Sequence, residues 1–321
     1  SEPSRLDSLR SALAREREAD RGVKRGEEDK AAVEKLRALG YVGAAQAAPQ
    51  KDRYTEGDDP KNLIGIDARN REVVTLFMEG RIDQAIELAK KNLAERPDMA
   101  GANLQFAYLE RARGNLQAAV AAARQALRLK PLDAEAVSLL GAYLTEARRA
   151  REAVEVLAPF VAGSAPDFDV LTALGLALSA VGDHARARDA FTRAQAADPS
   201  NPMGFVNVGT LDLMEGRRAE ARAALERALD LDESVARAHN TLGVMAAQEG
   251  RTDEAIARWK RAVDLNPRDY ETLFNLGVTL EKQGDITGAR SAFERYVQAA
   301  PVAIEARDIA RARAWLQSHS R

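Results

Sequence analysis

Apolar residues recur along most of the chain at helical spacing, in stretches of about three to four turns that come in pairs. The pairs themselves repeat. Leu140-Gly141, Leu174-Gly175, Val208-Gly209, Leu242-Gly243 and Leu276-Gly277 each follow a helical run, at intervals of 34 residues. Ala119, Ala153, Ala187, Ala221, Ala255 and Ala289 run in the same register. Pro97, Pro131, Pro199, Pro267 and Pro301 close most units, and Glu233 fills that register position in unit five.

This pattern predicts helical hairpins stacked in a row. Gly114, Gly182, Gly216, Gly250 and Gly284 stand where a first helix must turn into a second, a place where a positive φ costs glycine nothing. Small residues at paired positions let two helices approach closely, and large ones fill the space between units. One hairpin cannot bury its own apolar face, so stacking is obligatory. Seven units run from about Ile66 to Pro301, and a last amphipathic helix from about Ala303 to Ser318 carries Ile304, Ile309, Trp315 and Leu316 as a solvating cap. Unit one has Glu72-Val73 where Leu-Gly would stand and is expected to cap the other end. The resulting division is 1–61 for a charged helical segment and linker, 62–302 for the solenoid, and 303–321 for the capping helix and tail.

The units resemble the tetratricopeptide repeat (TPR). Unit four reads Leu171, Leu174-Gly175, Leu178, Ala187, Phe191, Pro199; unit six reads His239, Leu242-Gly243, Ala246, Ala255, Trp259, Pro267; unit seven reads Leu273, Leu276-Gly277, Leu280, Ala289, Phe293, Pro301. The resemblance implies an all-α, right-handed TPR helical-hairpin solenoid of about seven repeats plus a C-terminal capping helix. It also implies a scaffold that holds a peptide or protein segment in a concave groove. In this family the first helix lines the groove, with the second, fifth, ninth and twelfth residues of each unit exposed. Carried over by position, unit five offers Met203, Val206, Thr210 and Leu213; unit six Arg237, Asn240, Val244 and Ala247; unit seven Glu271, Phe274, Val278 and Glu281. Asn207 and Asn275 at the sixth position are suited to bonding a peptide backbone. The basic set with which chaperone-binding relatives hold a terminal carboxylate is missing from these positions, which argues for an apolar or mixed segment as the ligand.

Two places break the pattern. Pro159 falls inside the second helix of unit three and is expected to kink or shorten it, and the unit reads as one residue longer, through Gly163-Ser164-Ala165-Pro166. The break is either a tolerated kink or a bend with a role. Asp212 occupies a position normally large and apolar, and reads either as a partly exposed carboxylate beside Arg217 or Arg218 or as a polar contact for a ligand.

The first 61 residues carry no repeat register. They divide into helical stretches near 4–21 and 28–39 and a linker from Gly43 to Lys61 rich in Ala, Gln, Gly and Asp. Glu34-Lys35-Leu36-Arg37-Ala38-Leu39-Gly40-Tyr41-Val42-Gly43, with Asp58-Asp59-Pro60-Lys61 after it, resembles the segment that closes the catalytic domain of bacterial sulfatase-type hydrolases ahead of TPR repeats. That resemblance implies an alternative role as the localising or assembly arm of such an enzyme, with an upstream catalytic domain and a periplasmic rather than cytoplasmic setting. The absence of an initiating Met before Ser1 fits a processed signal or a further domain upstream.

Composition excludes several functions. With 47 Lys and Arg against 49 Asp and Glu, the net charge of -2 leaves no excess to neutralise a nucleic-acid backbone. No stretch approaches the ~18 apolar residues of a bilayer span. There is no cysteine, so disulfides, thiolate metal sites and thiol nucleophiles are absent together. The only histidines are His184, His239 and His319, none paired at ligand spacing, and His239 takes a core-type position. Ser1-Glu2-Pro3-Ser4-Arg5 fits the sulfatase nucleophile string, but no catalytic domain separates it from the closing segment, so the match reads as coincidence. The expectation is therefore a non-catalytic chain with no cofactor and no metal, whose partner is a protein or peptide.

Overall fold

The computed structural model describes residues 60–162, 167–300 and 302–319. Within them lie fifteen α-helices, one short 3-10 helix and no strand. The helices expected before the solenoid, the sulfatase-like segment, Gly163-Ser164-Ala165-Pro166 and Pro301 fall outside the described residues.

The helices pair into seven units and a cap. Unit one is α1 (Pro60–Met78) with α2 (Ile82–Glu95), and unit two is α3 (Ala100–Ala112) with α4 (Leu116–Leu129). Unit three is α5 (Ala134–Glu146) with α6 (Ala150–Leu157) and the 3-10 turn Ala158–Val161. Unit four is α7 (Phe168–Ala180) with α8 (His184–Ala197), and unit five is α9 (Pro202–Met214) with α10 (Arg218–Leu231). Unit six is α11 (Ala236–Gln248) with α12 (Thr252–Leu265), unit seven is α13 (Tyr270–Gln283) with α14 (Ile286–Ala299), and α15 (Val302–Ser318) covers the end. The first helix begins at Pro60, two residues inside the stretch expected to be linker, with proline at a position that needs no N–H.

Local signals set the ends of these helices. Asp133, Asp167, Asn201 and Asp269 cap first helices by accepting a backbone N–H from the first turn. At the other end, six units turn through a glycine in the left-handed region, Gly80, Gly114, Gly182, Gly216, Gly250 and Gly284, and unit three turns through Arg148 at φ 61°. Pro159 ends α6 after 8 residues, where α4 and α8 run for 14, and the chain continues as a single 3-10 turn. Arg193 of α8 donates to the Val161 carbonyl at 2.7 Å, as Arg295 of α14 does to the Val263 carbonyl of a full-length second helix at 3.2 Å, so the shortened helix keeps this contact. The extra residue expected in unit three is absent: α5, α7 and α9 start at Ala134, Phe168 and Pro202, all in the 34-residue register. The shortened helix and its turn occupy the length of a full one.

First helices of consecutive units pack on one another, α5 on α7, α7 on α9 and α9 on α11, whereas second helices pack mainly on the first helices either side. The layer whose members touch directly is the shorter one, so the stack curves with the first helices inside. Within a unit the two helices meet at one point. A Cβ on Gly141, Gly175, Gly209, Gly243 or Gly277 would collide with Leu157, Phe191, Leu225, Trp259 or Phe293, at 2.4 to 3.0 Å. Those five large side chains are all buried. The capping helix extends the last of these contacts, with Trp315 against Phe293 at 5.1 Å between ring centres.

Candidate binding surface on the concave face

The expected groove residues divide into three groups. Met203, Thr210 and Leu213 of α9, Asn240 and Val244 of α11, and Phe274, Asn275 and Val278 of α13 are half-buried. Arg237, Ala247 and Glu271 are exposed, and Glu281 is half-buried and paired with Arg311 of the cap.

Val206 and Asn207 form the third group and depart from the expectation. Both are buried, Val206 fully and Asn207 to 2% exposure. Val206 belongs to the cluster that includes Ala238, Leu242 and Met245 of the next unit, because close packing of small residues brings α11 over it. Asn207 has neither amide atom hydrogen-bonded. Met203 and Thr210, four residues before and three after, share its helix face and remain half-exposed, so Asn207 lies between two reachable positions. The Asn240 side-chain oxygen is likewise buried without a partner.

Phe274 is also partly engaged. Its ring packs on Tyr296 at 5.0 Å and Phe293 at 6.2 Å, and the Arg311 guanidinium lies 5.6 Å from its centre. Burial, with Glu305, Asp308 and Tyr270 adding to it, pushes the Tyr296 phenol up to about 12. The expected anchor is thus shared with the capping helix.

Between units six and seven the surface is charged. Arg237 reaches solvent but has protein around most of it; this burial lowers its pKa, against the pull of Glu271 and Asp269. Burial raises the Glu271 pKa, and Asp269 and Glu305 add to that, while Arg237 and Arg148 oppose it. Arg148 belongs to unit three, so units three and seven lie within electrostatic reach of one another across the concave space. Burial raises the Tyr270 pKa, and Glu271, Glu305 and Glu146, the last from unit three, add to it. The curvature is tight enough that a Cβ on Gly80 in unit one would lie 4.0 Å from the Arg268 guanidinium in the loop before unit seven.

Two polar positions noticed in the sequence have structural partners. Asp212 is buried rather than partly exposed, and accepts from Arg217 Nε at 2.8 Å and Arg188 Nη2 at 2.6 Å. Arg218 instead reaches Gln248. Arg188 lies 24 residues earlier on α8, where only the stacking of unit four on unit five brings it close. His239 is buried and its Nε2 pairs with the Glu233 carbonyl at 3.1 Å; burial pushes its pKa below the usual histidine value, against this hydrogen bond.

Among the described residues no group of three or more His, Asp or Glu side chains is arranged to hold a metal ion. No helix among them is long and apolar enough to cross a membrane.

The sequence matches the family model described as tetratricopeptide repeat over residues 104–167, 139–202, 209–257 and 246–304, windows that together take in more than half of the chain. No curated protein sequence matches it. A chain of the APC/C hetero-tetramer Cut9-Hcn1 is similar in fold, with a TM-score of 0.54 at 18% identity over 68% of this chain. The match takes in 45% of that chain, so the present one spans less than half its length. A structure of MamA aligns with a TM-score of 0.39 at 22% identity, over 51% of this chain and 96% of that one. MamA 41-end from Desulfovibrio magneticus RS-1 gives 0.44 at 20% identity, over 53% and 96%.

Proposed function

Since this chain belongs to the tetratricopeptide repeat family, we propose that it is a protein-interaction scaffold that takes an extended segment of a partner along the concave face of units five to seven. The observation that carries this reading is the row of half-buried first-helix side chains on the inner layer, Met203, Thr210, Asn240, Val244, Asn275 and Val278, which a partner can reach. Asn207 lies buried and unpaired between Met203 and Thr210; an unsatisfied amide costs about 1–3 kcal/mol, so a shift of those two side chains that opens it to a peptide backbone is favoured. Met203, Val244 and Val278 supply apolar contacts along the same layer of first helices, with Asn240 and Asn275 as further polar ones. Arg237 and Glu271 add a pair of opposite charges, which suits a segment of mixed rather than purely apolar character.

Val206 takes no direct part in this reading, because it is already in the core. Phe274 contributes its free edge, the rest of its ring being held by Tyr296. Pull-down with the whole chain tests the assignment. Asn207→Ala, and separately Phe274→Ala with Asn275→Ala, should weaken partner capture while the helical circular dichroism stays unchanged. Capture that survives both changes but is lost on Arg227→Glu, an exposed position on α10, would place the interaction on the convex side instead.

A further inference from the structure

The turn of unit three is built differently from the other six. Where those have glycine, Arg148 takes φ 61°, a conformation that costs a side-chain-bearing residue about 1 kcal/mol relative to glycine. No fold requirement explains an arginine there, since glycine makes the same turn six times in this chain. A strained residue kept against a cheaper alternative points to a role for its side chain.

That side chain borders a recess of about 590 Å³. One wall is formed by Arg148, Arg149, Ala150, Arg151 and Glu152, three guanidiniums against one carboxylate. The other is apolar, formed by Ala180 and Val181 at the end of α7, and it continues toward Met214, which is 60% exposed and touches Ser179 through its sulfur. Nearby carboxylates are already committed. Glu152 pairs with Arg149 and Arg124, and Glu146 with Arg111 at 2.9 Å. Arg148 and Arg151 form no ion pair among the described residues. The start of α6 lies in the same wall, and its cap residue Arg149 makes no side-chain capping bond, so the helix dipole adds to the positive potential.

We propose that this recess recognises an acidic side chain of a partner protein, with an apolar neighbour of that side chain seated on Ala180, Val181 and Met214. The site is built on other elements than the groove of units five to seven: it lies at the helix turn of unit three, within electrostatic reach of Glu271, and its recognition is by charge. Two guanidinium groups that form no ion pair among the described residues, opposite an exposed apolar edge, complement a segment in which acidic and apolar residues alternate.

Fluorescence anisotropy of the full chain with a labelled octapeptide of alternating glutamate and leucine tests this, beside a counterpart of lysine and leucine. The acidic peptide should bind and weaken with added salt, and the basic one should not bind. Arg148→Gly and Arg151→Ala should each weaken binding about five-fold, the effect of an ion pair worth ~1 kcal/mol. Arg148→Gly relieves the backbone strain, so its loss of binding cannot be attributed to unfolding. The proposal is overturned if the acidic peptide does not bind, if the basic peptide binds as well, or if Arg148→Gly and Arg151→Ala both bind like the parent. It is also overturned if inorganic phosphate binds to the arginines while the peptide does not. Because the groove is tested through Asn207 and Phe274, either reading can fail without the other.

Discussion

Units two and four solve the same packing problem with different residues. In unit four Gly175 on the first helix faces Phe191 on the second, and a single added methyl at Gly175 would sit 2.4 Å from the ring. In unit two the same register positions hold Ala107 and Ala123, both fully buried. Unit one reverses the order, with the buried Val73 on its first helix and Ala89 on its second. What the fold holds constant is the contact between the two helices at these positions, not the volume of the pair, which grows from two alanines in unit two to Gly243 with Trp259 in unit six. A large residue on one helix goes with glycine on the other, and a change at one member alone disturbs the fit.

The comparison can be broken most severely by emptying the space. Trp259→Ala in unit six removes the largest of these fillers and should cost about 3–5 kcal/mol in chemical denaturation. Overfilling comes next: Gly175→Ala should cost about 1–3 kcal/mol despite the better helix propensity of alanine, and Phe191→Leu introduced with it should restore part of that. The sharper version converts unit two into unit four. Ala123→Phe alone should destabilise by about 1–3 kcal/mol, and Ala107→Gly introduced with it should restore part of that by making room for the ring on the facing helix. Equal losses for the single and double changes would show that the small partner is not what admits the large one.

Smaller effects should appear at the turns and at His239. Arg148→Gly should raise stability by about 1 kcal/mol, while Gly182→Ala, at a position with φ 84°, should lower it by a similar amount. Both can be read from thermal midpoints. For His239 the folded pKa lies below the unfolded value of ~6.5, so the unfolded chain takes up the proton more readily. Its contribution is therefore intact above that pH and is lost as the pH falls through it. The parent should lose more stability than His239→Gln between pH 7.5 and pH 5.5; an equal loss would remove His239 as the cause.

The repeat was legible because its determinants are local in sequence. Glycine at the helix turns, proline at the unit ends and the Gly-to-large spacing within a unit all act over fewer than 34 residues, and Pro159 shortened its helix as proline must. The burial of Val206, the reach of Arg188 to Asp212 and the sharing of Phe274 with the capping helix were not legible. Each depends on how far one unit leans over the next, a quantity set by the summed packing of many small side chains rather than by any motif. Arg148 stands between these cases. Its place in the glycine register could be read from the sequence, but its approach toward Glu271 depends on the curvature of units three to seven together.

The side-chain bonds that stitch one unit to the next join residues only 24 to 35 positions apart, from Arg188 with Asp212 to Arg111 with Glu146. This gives assembly a clock. A ribosome adding about 5–20 residues per second needs roughly 2–7 s to deliver one 34-residue unit, whereas helices form within about a microsecond. Each hairpin is therefore expected to dock on its predecessor while the following one is still being made. Its apolar face would wait seconds, rather than the time needed to finish the whole chain, before it is covered.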